Sequence, residues 1–348
     1  MKEKSVERAI FDAYSHSMSR IREQSTQNLF EKNFITKEQF EQIKEYRSLN
    51  IFSLHAELKM LLYLSILAFT SGIGILIYEN IDTIGHIAIL SLLLIVIVVC
   101  FYFCFKNSKG FQKTEAVFEN PVLDYLVLTA NILTCIFIGY LQFQYELFGK
   151  HYGLATLIPT IVSFFCAYYF DNKGVLSIAI TGLGAYIGFS VTPQDLLNND
   201  FYSNQSLSYS AIILGVLLAV WTIYSDRINL KTHFKLVYLT FALHIISIAV
   251  LSNMTNEYYG FWLIFSALLA GSSYYFYRIS YRVKAISLYV FTIVYAYIGI
   301  SIFLFRIFEN VDFSDLWQLF ILLLPLYFIG SIVLFIKLIK NFNKEIAL

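Results

Sequence analysis

From residue 58 to residue 338 the chain alternates between apolar runs and short polar breaks. The runs fall at 58–78, 84–105, 122–142, 154–170, 174–192, 208–225, 234–252, 258–277, 284–305 and 316–338. A hydrocarbon core of about 30 Å takes roughly 20 apolar residues to cross as a helix, and runs of this length have no better use in a soluble domain. The pattern predicts an all-α fold: a polytopic transmembrane bundle of about ten helices over 58–338. A short cytosolic two-helix region, 1–57, precedes it, and a basic tail, 339–348, follows it. The fourth and fifth runs are short, and three residues, Asp171-Asn172-Lys173, separate them.

The polar preface has helical periodicity of its own. Val6, Ile10, Tyr14, Met18 and Ile21 recur every three or four residues and define one apolar stripe. A second helix has a specified start. Thr36 is a good N-cap with Gln39 three residues on, the spacing of a capping box, and Ile35 and Phe40 flank it as a hydrophobic staple. Phe40, Ile43 and Tyr46 then form its apolar face. Two helices this short bury little by themselves, so they pack on each other, on the ends of the spans, or on a cytosolic protein partner.

Charge sorts with the spans. With a cytosolic N-terminus and ten crossings, 23 of the 25 Lys and Arg lie inside, leaving Lys150 and Arg306 outside. The inner side carries net charge +8 and the outer side −7, hidden within a chain total of +1. Retention of Lys and Arg in the cytosol during insertion accounts for such a bias and places both termini inside. Hydrophobic residues at 58%, charged residues at 14% and a mean hydropathy of +0.64 exclude a soluble globular enzyme. Tyr274, Tyr275, Tyr277, Tyr281, Trp317, Tyr258 and Tyr259 sit at segment ends, where their rings suit the headgroup layer. Cys100, Cys104, Cys135 and Cys166 all fall inside spans and read as small apolar packing residues. The Ile-, Lys-, Asn-, Phe- and Tyr-rich composition is bacterial in character.

No phosphate-binding Gly loop, His-Glu-x-x-His, Cys-x-x-Cys or Gly-x-Ser-x-Gly occurs. No cofactor, metal or nucleic acid is implied, and the partners expected are membrane lipid and a cytosolic protein bound by residues 1–57. Chemistry must then come from polar groups at membrane depth, which are expensive and so have a partner or a role. His244 lies mid-span with Thr240 and Ser247 on the same face, and reads as a solute or proton contact or as a neutral imidazole bonded to a neighbouring helix. Asp124 and Asn131 share a face of the third span with Cys135. Glu79, Asn80, Asp82 and His86 mark the first outer corner. Gly184 and Gly188 form a Gly-x-x-x-Gly helix contact, and Pro159 and Pro325 should kink their spans.

The stretch Leu29-Phe30-Glu31-Lys32-Asn33-Phe34-Ile35-Thr36-Lys37-Glu38-Gln39 precedes a Gly-containing first span, Ser71-Gly72-Ile73-Gly74. An Asn then follows the membrane exit in Tyr78-Glu79-Asn80-Ile81-Asp82. This order resembles a bacterial membrane-protein family known as domain of unknown function 2157, over roughly residues 25–105. The family usually has Trp after that Asn, where this chain has Ile81. The resemblance implies an inner-membrane protein with a soluble helical N-terminus and supplies no activity or catalytic residue. Three functions remain: a carrier-like or flippase-like transporter of a small or lipidic solute, a non-catalytic scaffold or sensor working through residues 1–57, and an intramembrane enzyme acting on lipid.

Overall fold

The computed structural model describes residues 36–48, 55–116, 120–149, 151–191, 205–255, 261–310 and 317–347. The chain divides into two compact units, Met1–Leu64 and Ser65–Leu348. In the first, α1 (Lys37–Ser48) starts where the sequence specifies. The Thr36 N–H donates to Gln39 Oε1 at 2.9 Å and the Gln39 N–H donates to Thr36 Oγ1 at 3.3 Å, a complete capping box. The stripe from Val6 to Ile21 and the Ile35 half of the staple lie outside the described residues.

Ten further helices follow, and among the described residues there is no strand. They are α2 (His55–Ile84), α3 (His86–Asn107), α4 (Val122–Tyr145), α5 (Tyr152–Phe170), α6 (Lys173–Val191), α7 (Gln205–Arg227), α8 (Lys235–Thr255), α9 (Trp262–Val283), α10 (Ile286–Asn310) and α11 (Trp317–Ala347). Each overlaps one of the ten expected runs. Among the described residues, eight are long and apolar enough to cross a membrane, against the ten anticipated. In α9 the stretch Ser272-Ser273-Tyr274-Tyr275, with Tyr277 and Arg278, dilutes the apolar content, although α9 packs on both α8 and α10. In α2 the apolar stretch among the described residues is Met60–Leu76. The two short runs meet the criterion as α5 and α6 and form the most extensively packed pair. The C-terminal helix runs on through the expected basic tail to Ala347.

Neighbours in sequence are neighbours in space: α3 with α4, α4 with α5, α5 with α6, α7 with α8, α8 with α9, and α9 with α10. Residues 108–116 of the α3–α4 linker, the Asp171-Asn172 turn and the segment 228–234 come together at one end, called here the basic end for its Lys106, Lys109, Lys113, Lys173, Arg227 and Lys231. Helix α8 is the hub, packing on α6, α7, α9 and α10. Its Tyr238, Leu239, Ala242, Leu243, Ile246, Ser247 and Val250 are all buried. Helix α11 is the opposite case. It is fastened to α10 by a Ser301–Tyr327 hydroxyl pair at 2.7 Å and by Phe342, fully buried and stacked on Tyr289 at 4.0 Å. Large apolar side chains such as Ile87, Leu92, Ile95 and Ile264 stand exposed in quantity, as lipid-facing surface requires.

Lipid tails are as apolar as leucine, so burial alone does not drive these helices together; close packing through small residues does. At Gly215 in α7 an added Cβ would lie 2.5 Å from Ile246 Cγ1 and 3.3 Å from the Ala242 carbonyl oxygen of α8. Gly74, on an exposed part of α2, has no atom within 4 Å of that position. Gly215→Ala is therefore expected to destabilise the detergent-purified protein by about 1–3 kcal/mol, the usual effect of overpacking. Gly74→Ala should be neutral or stabilising, because it only removes backbone freedom from a helix. Thermal unfolding followed by size-exclusion chromatography distinguishes the two.

Candidate functional site

Two polar constellations stand out. One is a buried ion cluster at the basic end. Asp171 ends α5 in the left-handed conformation, φ +62°, which a short polar side chain tolerates. Asn172 then starts α6 by accepting the Val175 N–H on its Oδ1 at 3.0 Å. Its Nδ2 donates to the Asp124 carbonyl at 2.9 Å, tying the turn to α4. The Asp171 carboxylate faces inward. Lys231 Nζ lies 3.0 Å from Oδ2, and both side chains are completely buried. His233 Nε2 meets Oδ1, and the Ala116 N–H donates to Oδ2. The Lys231 backbone N–H donates to the Lys113 carbonyl at 2.8 Å, and its ammonium lies 5.6 Å from the Phe111 ring centre. Two segments distant in sequence from Asp171 thus converge on its carboxylate. On the exposed rim the Lys173 ammonium, 3.2 Å from Glu115, holds that carboxyl below the usual carboxylate range. The small stabilisation of this solvated pair is present at neutral pH and is lost as pH falls through the lowered value.

The other constellation is a cavity of about 330 Å³ lined by α4, α5 and α6. It runs from Cys135, Ser163 and Ile178, near the middle of the spans, to Gln142, Tyr152 and Phe189, close to the helix ends opposite the basic end. Below it Asn131, Ala130, Ala167, Leu176 and Ala179 are buried and close it off. At that end Gln142 accepts the Phe148 N–H and donates to the Gly149 carbonyl, both at 2.8 Å, which fixes the turn after α4. Thr156, Thr160 and Ser163 line one face of α5 at helical spacing around Pro159. Ser163 Oγ is 2.9 Å from Asn131 Oδ1 and 2.7 Å from the Pro159 carbonyl. Asn131 is fully buried and its Nδ2 has no hydrogen-bond partner.

The polar residues singled out in the sequence lie in several places. Asn131 stands behind the cavity wall. Asp124 is half-buried in the first turn of α4, beside the turn that holds the ion cluster. His244 is elsewhere: its Nδ1 is 2.8 Å from the Tyr295 hydroxyl of α10, and its ring meets Phe291 edge-on at 4.7 Å. Thr240 donates to the Leu236 carbonyl of its own helix, and Ser247 is buried. Neither His244 nor Asp124 lines the cavity. At the first corner His86 Nδ1 is 2.6 Å from the Tyr140 hydroxyl and Glu79 is exposed; Asn80 and Asp82 close α2, their side chains outside the described set. Gly188 is buried, and Gly184 makes an ordinary contact, with Leu214 Cδ2 4.0 Å from its would-be Cβ. The tightest α5–α6 approach is at Gly182, where that distance to Thr160 Oγ1 is 2.3 Å. No group of three or more His, Cys, Asp or Glu poised to hold a metal occurs among the described residues.

Residues 27–176 match a family described as a predicted membrane protein, DUF2157. The match runs well beyond the 25–105 expected from the sequence, through α1 to α5 and into the first turn of α6. No curated protein and no solved structure matches the chain. With eight helices of spanning length and apolarity, the chain is a multi-pass membrane protein. The DUF2157 segment contains Asp171, Asn131 and the α4 and α5 walls of the cavity, whereas Lys231, His233 and the α6 wall lie beyond it.

The ion cluster and the α5 hydroxyl row were not picked out from the sequence. The row was legible as Thr156, Thr160 and Ser163 at spacings of four and three around a proline. The cluster was not, since His233 is 62 residues from Asp171 and short-loop charges read equally well as topology signals. Removing one partner of a buried ion pair leaves the other uncompensated, so Lys231→Met should destabilise the protein by about 3–5 kcal/mol. Adding Asp171→Asn to that variant should recover part of the loss. Thermal unfolding of the two purified variants tests this; a double variant no more stable than Lys231→Met would show that the pair is not coupled.

Proposed function

We propose that this protein is a carrier of a small or lipidic solute, which it takes up in the α4–α5–α6 cavity. The observation that carries this reading is the one-sided form of that cavity. It runs from mid-span to the helix ends away from the basic end, and buried residues lie between it and the basic end. An alternating-access carrier presents such a half-channel in each of its end states, with the solute held near the midplane beside interrupted helices. Pro159 lies inside α5 at that depth and removes one hydrogen bond from its ladder, the weak point such a helix needs. A mostly apolar lining with a few oriented polar groups is also the usual make-up of a small-molecule site.

The same reading sets the protein in a bacterial inner membrane with the basic end and both termini in the cytosol, supported by the 23 of 25 Lys and Arg on that side. The cavity then opens to the periplasm. Cys135 provides the test, because it lines the deep part while Cys100, Cys104 and Cys166 are buried. With those three replaced by Ala, a small membrane-impermeant maleimide is expected to label Cys135 in spheroplasts and not in inverted vesicles. Labelling from the inverted side alone would reverse the orientation. No labelling from either side, with Gly149→Cys reacting as a loop control, would mean a dry cavity and would overturn the carrier reading in favour of a scaffold.

A further inference from the structure

We infer that the outward face of α11 is a docking surface for anionic phospholipid, with Lys337, Lys340 and Lys344 holding the phosphate headgroups and the apolar stripe beside them holding the acyl chains. This goes beyond the carrier reading and does not depend on it, since α11 takes no part in the cavity.

The register of α11 sorts its residues onto two sides. Among the described residues, Leu324, Tyr327, Ser331, Phe335 and Leu338 are half-buried and Phe342 is buried, at spacings of three and four that keep them on one face. That face is bound to the bundle. Tyr327 bonds Ser301 and stacks on Tyr297 at 5.6 Å. The Tyr289 hydroxyl donates to the Leu338 carbonyl at 3.3 Å, and Phe342 meets the Tyr281 ring edge-on at 4.7 Å. The opposite face is exposed. It carries Leu326, Ile329, Val333 and Ile336, and then Lys337, Lys340 and Lys344 at the same helical spacing. Apolar surface thus passes directly into a basic stripe. At 31 residues the helix is about 46 Å long against a hydrocarbon core of about 30 Å, so its lysine-bearing end extends into the headgroup layer.

Charge identifies the occupant. Elsewhere at the basic end cations have carboxylate partners: Lys173 has Glu115, Lys231 has Asp171 and Lys235 has Asp226. No ion pair among the described residues involves Lys337, Lys340 or Lys344. Glu345, the sole carboxylate of α11, lies toward the other face, near enough to Tyr277, Tyr281 and Tyr289 to act on their hydroxyls. Three uncompensated cations within about 10 Å of helix therefore await an external anion. Their position selects a lipid over a soluble acidic protein. Lys337 directly follows Ile336 and stands one turn beyond Val333, both exposed and apolar, so its ammonium reaches the headgroups by running its stem along the helix. A phospholipid brings the phosphate and the acyl chains in one molecule, matching both halves of the stripe. A zwitterionic headgroup neutralises its own phosphate, whereas each juxtamembrane lysine favours a net-negative surface by about fivefold.

The test uses the full-length protein in phosphatidylcholine liposomes carrying a trace of a phospholipid with a diazirine in its headgroup, either anionic phosphatidylglycerol or zwitterionic phosphatidylcholine. Cross-linked residues are mapped by mass spectrometry. In about 0.02 M salt the phosphatidylglycerol probe is expected to label residues 336–344 about fivefold or more above the phosphatidylcholine probe. In about 0.5 M salt, where charges act over only a few Å, that advantage should largely disappear. Lys337→Gln, Lys340→Gln and Lys344→Gln made together should abolish the preference, and the three corresponding Arg substitutions should keep it. All three positions are exposed, and size-exclusion chromatography checks that both variants fold. Equal labelling by the two probes would overturn the inference, as would a preference that survives the Gln substitutions. If α11 is instead cross-linked to a second copy of the chain and neither probe labels the lysine stripe, the face is a subunit interface and the lipid assignment fails. None of these outcomes bears on the cavity, which has its own test at Cys135.

Discussion

A carboxylate buried at a membrane-protein loop junction must be matched by a cation, and here that requirement organises the bundle. Asp171 sits in a two-residue turn with its side chain wholly buried, and Lys231 meets it from a segment between α7 and α8. Each is unfavourable alone, so neither loop can relax without exposing or orphaning a charge. The cluster joins the α3–α4 linker through Ala116 and Lys113, and it joins α4 through Asn172 and the Asp124 carbonyl. Apolar packing within the membrane has no strong preference for one rotation of a helix over another when lipid competes for the same surface. Polar anchors at the helix ends supply that preference, and close-packed glycines such as Gly215 and Gly182 then fix the spacing.

The cavity lies in the half of α4, α5 and α6 that is farther from the ion cluster, beside Pro159 of α5. A turn anchored at Asp171 and a proline within the same helix give α5 the distribution of rigidity that a gated site needs. It places any hinge of α5 near Pro159, between the anchored turn at Asp171 and the far end at Tyr152.

The sequence displayed the architecture well and the site poorly, for a physical reason in each case. Span positions are written in consecutive residues, because a membrane crossing is a local property of about 20 side chains. The start of α1 was equally local, with Thr36 and Gln39 three residues apart. Even the two-residue turn between α5 and α6 was visible as a break. What Asp171 does in that turn was not, since its partners come from other parts of the chain. His244 stood out as an imidazole in an apolar run, yet its bond to Tyr295 depends on how α8 and α10 pack. The α5 hydroxyls were overlooked because Ser and Thr are unobtrusive in membrane helices. Their meaning comes from the facing α6 wall, which spacing alone does not reveal.

The sequence separation inside the ion cluster has a temporal side. Asp171 is synthesised well before its cations, since Lys231 follows it by 60 residues and His233 by 62. At ordinary synthesis rates of about 5–20 residues per second that is an interval of roughly 3–12 s. During it the carboxylate has no cation to receive it and stays with water at the membrane surface. The loop closes over it only once α7 is in place and the following segment has emerged. The buried pair is thus also a record of order of manufacture, a latch that cannot engage until the second half of the protein has arrived.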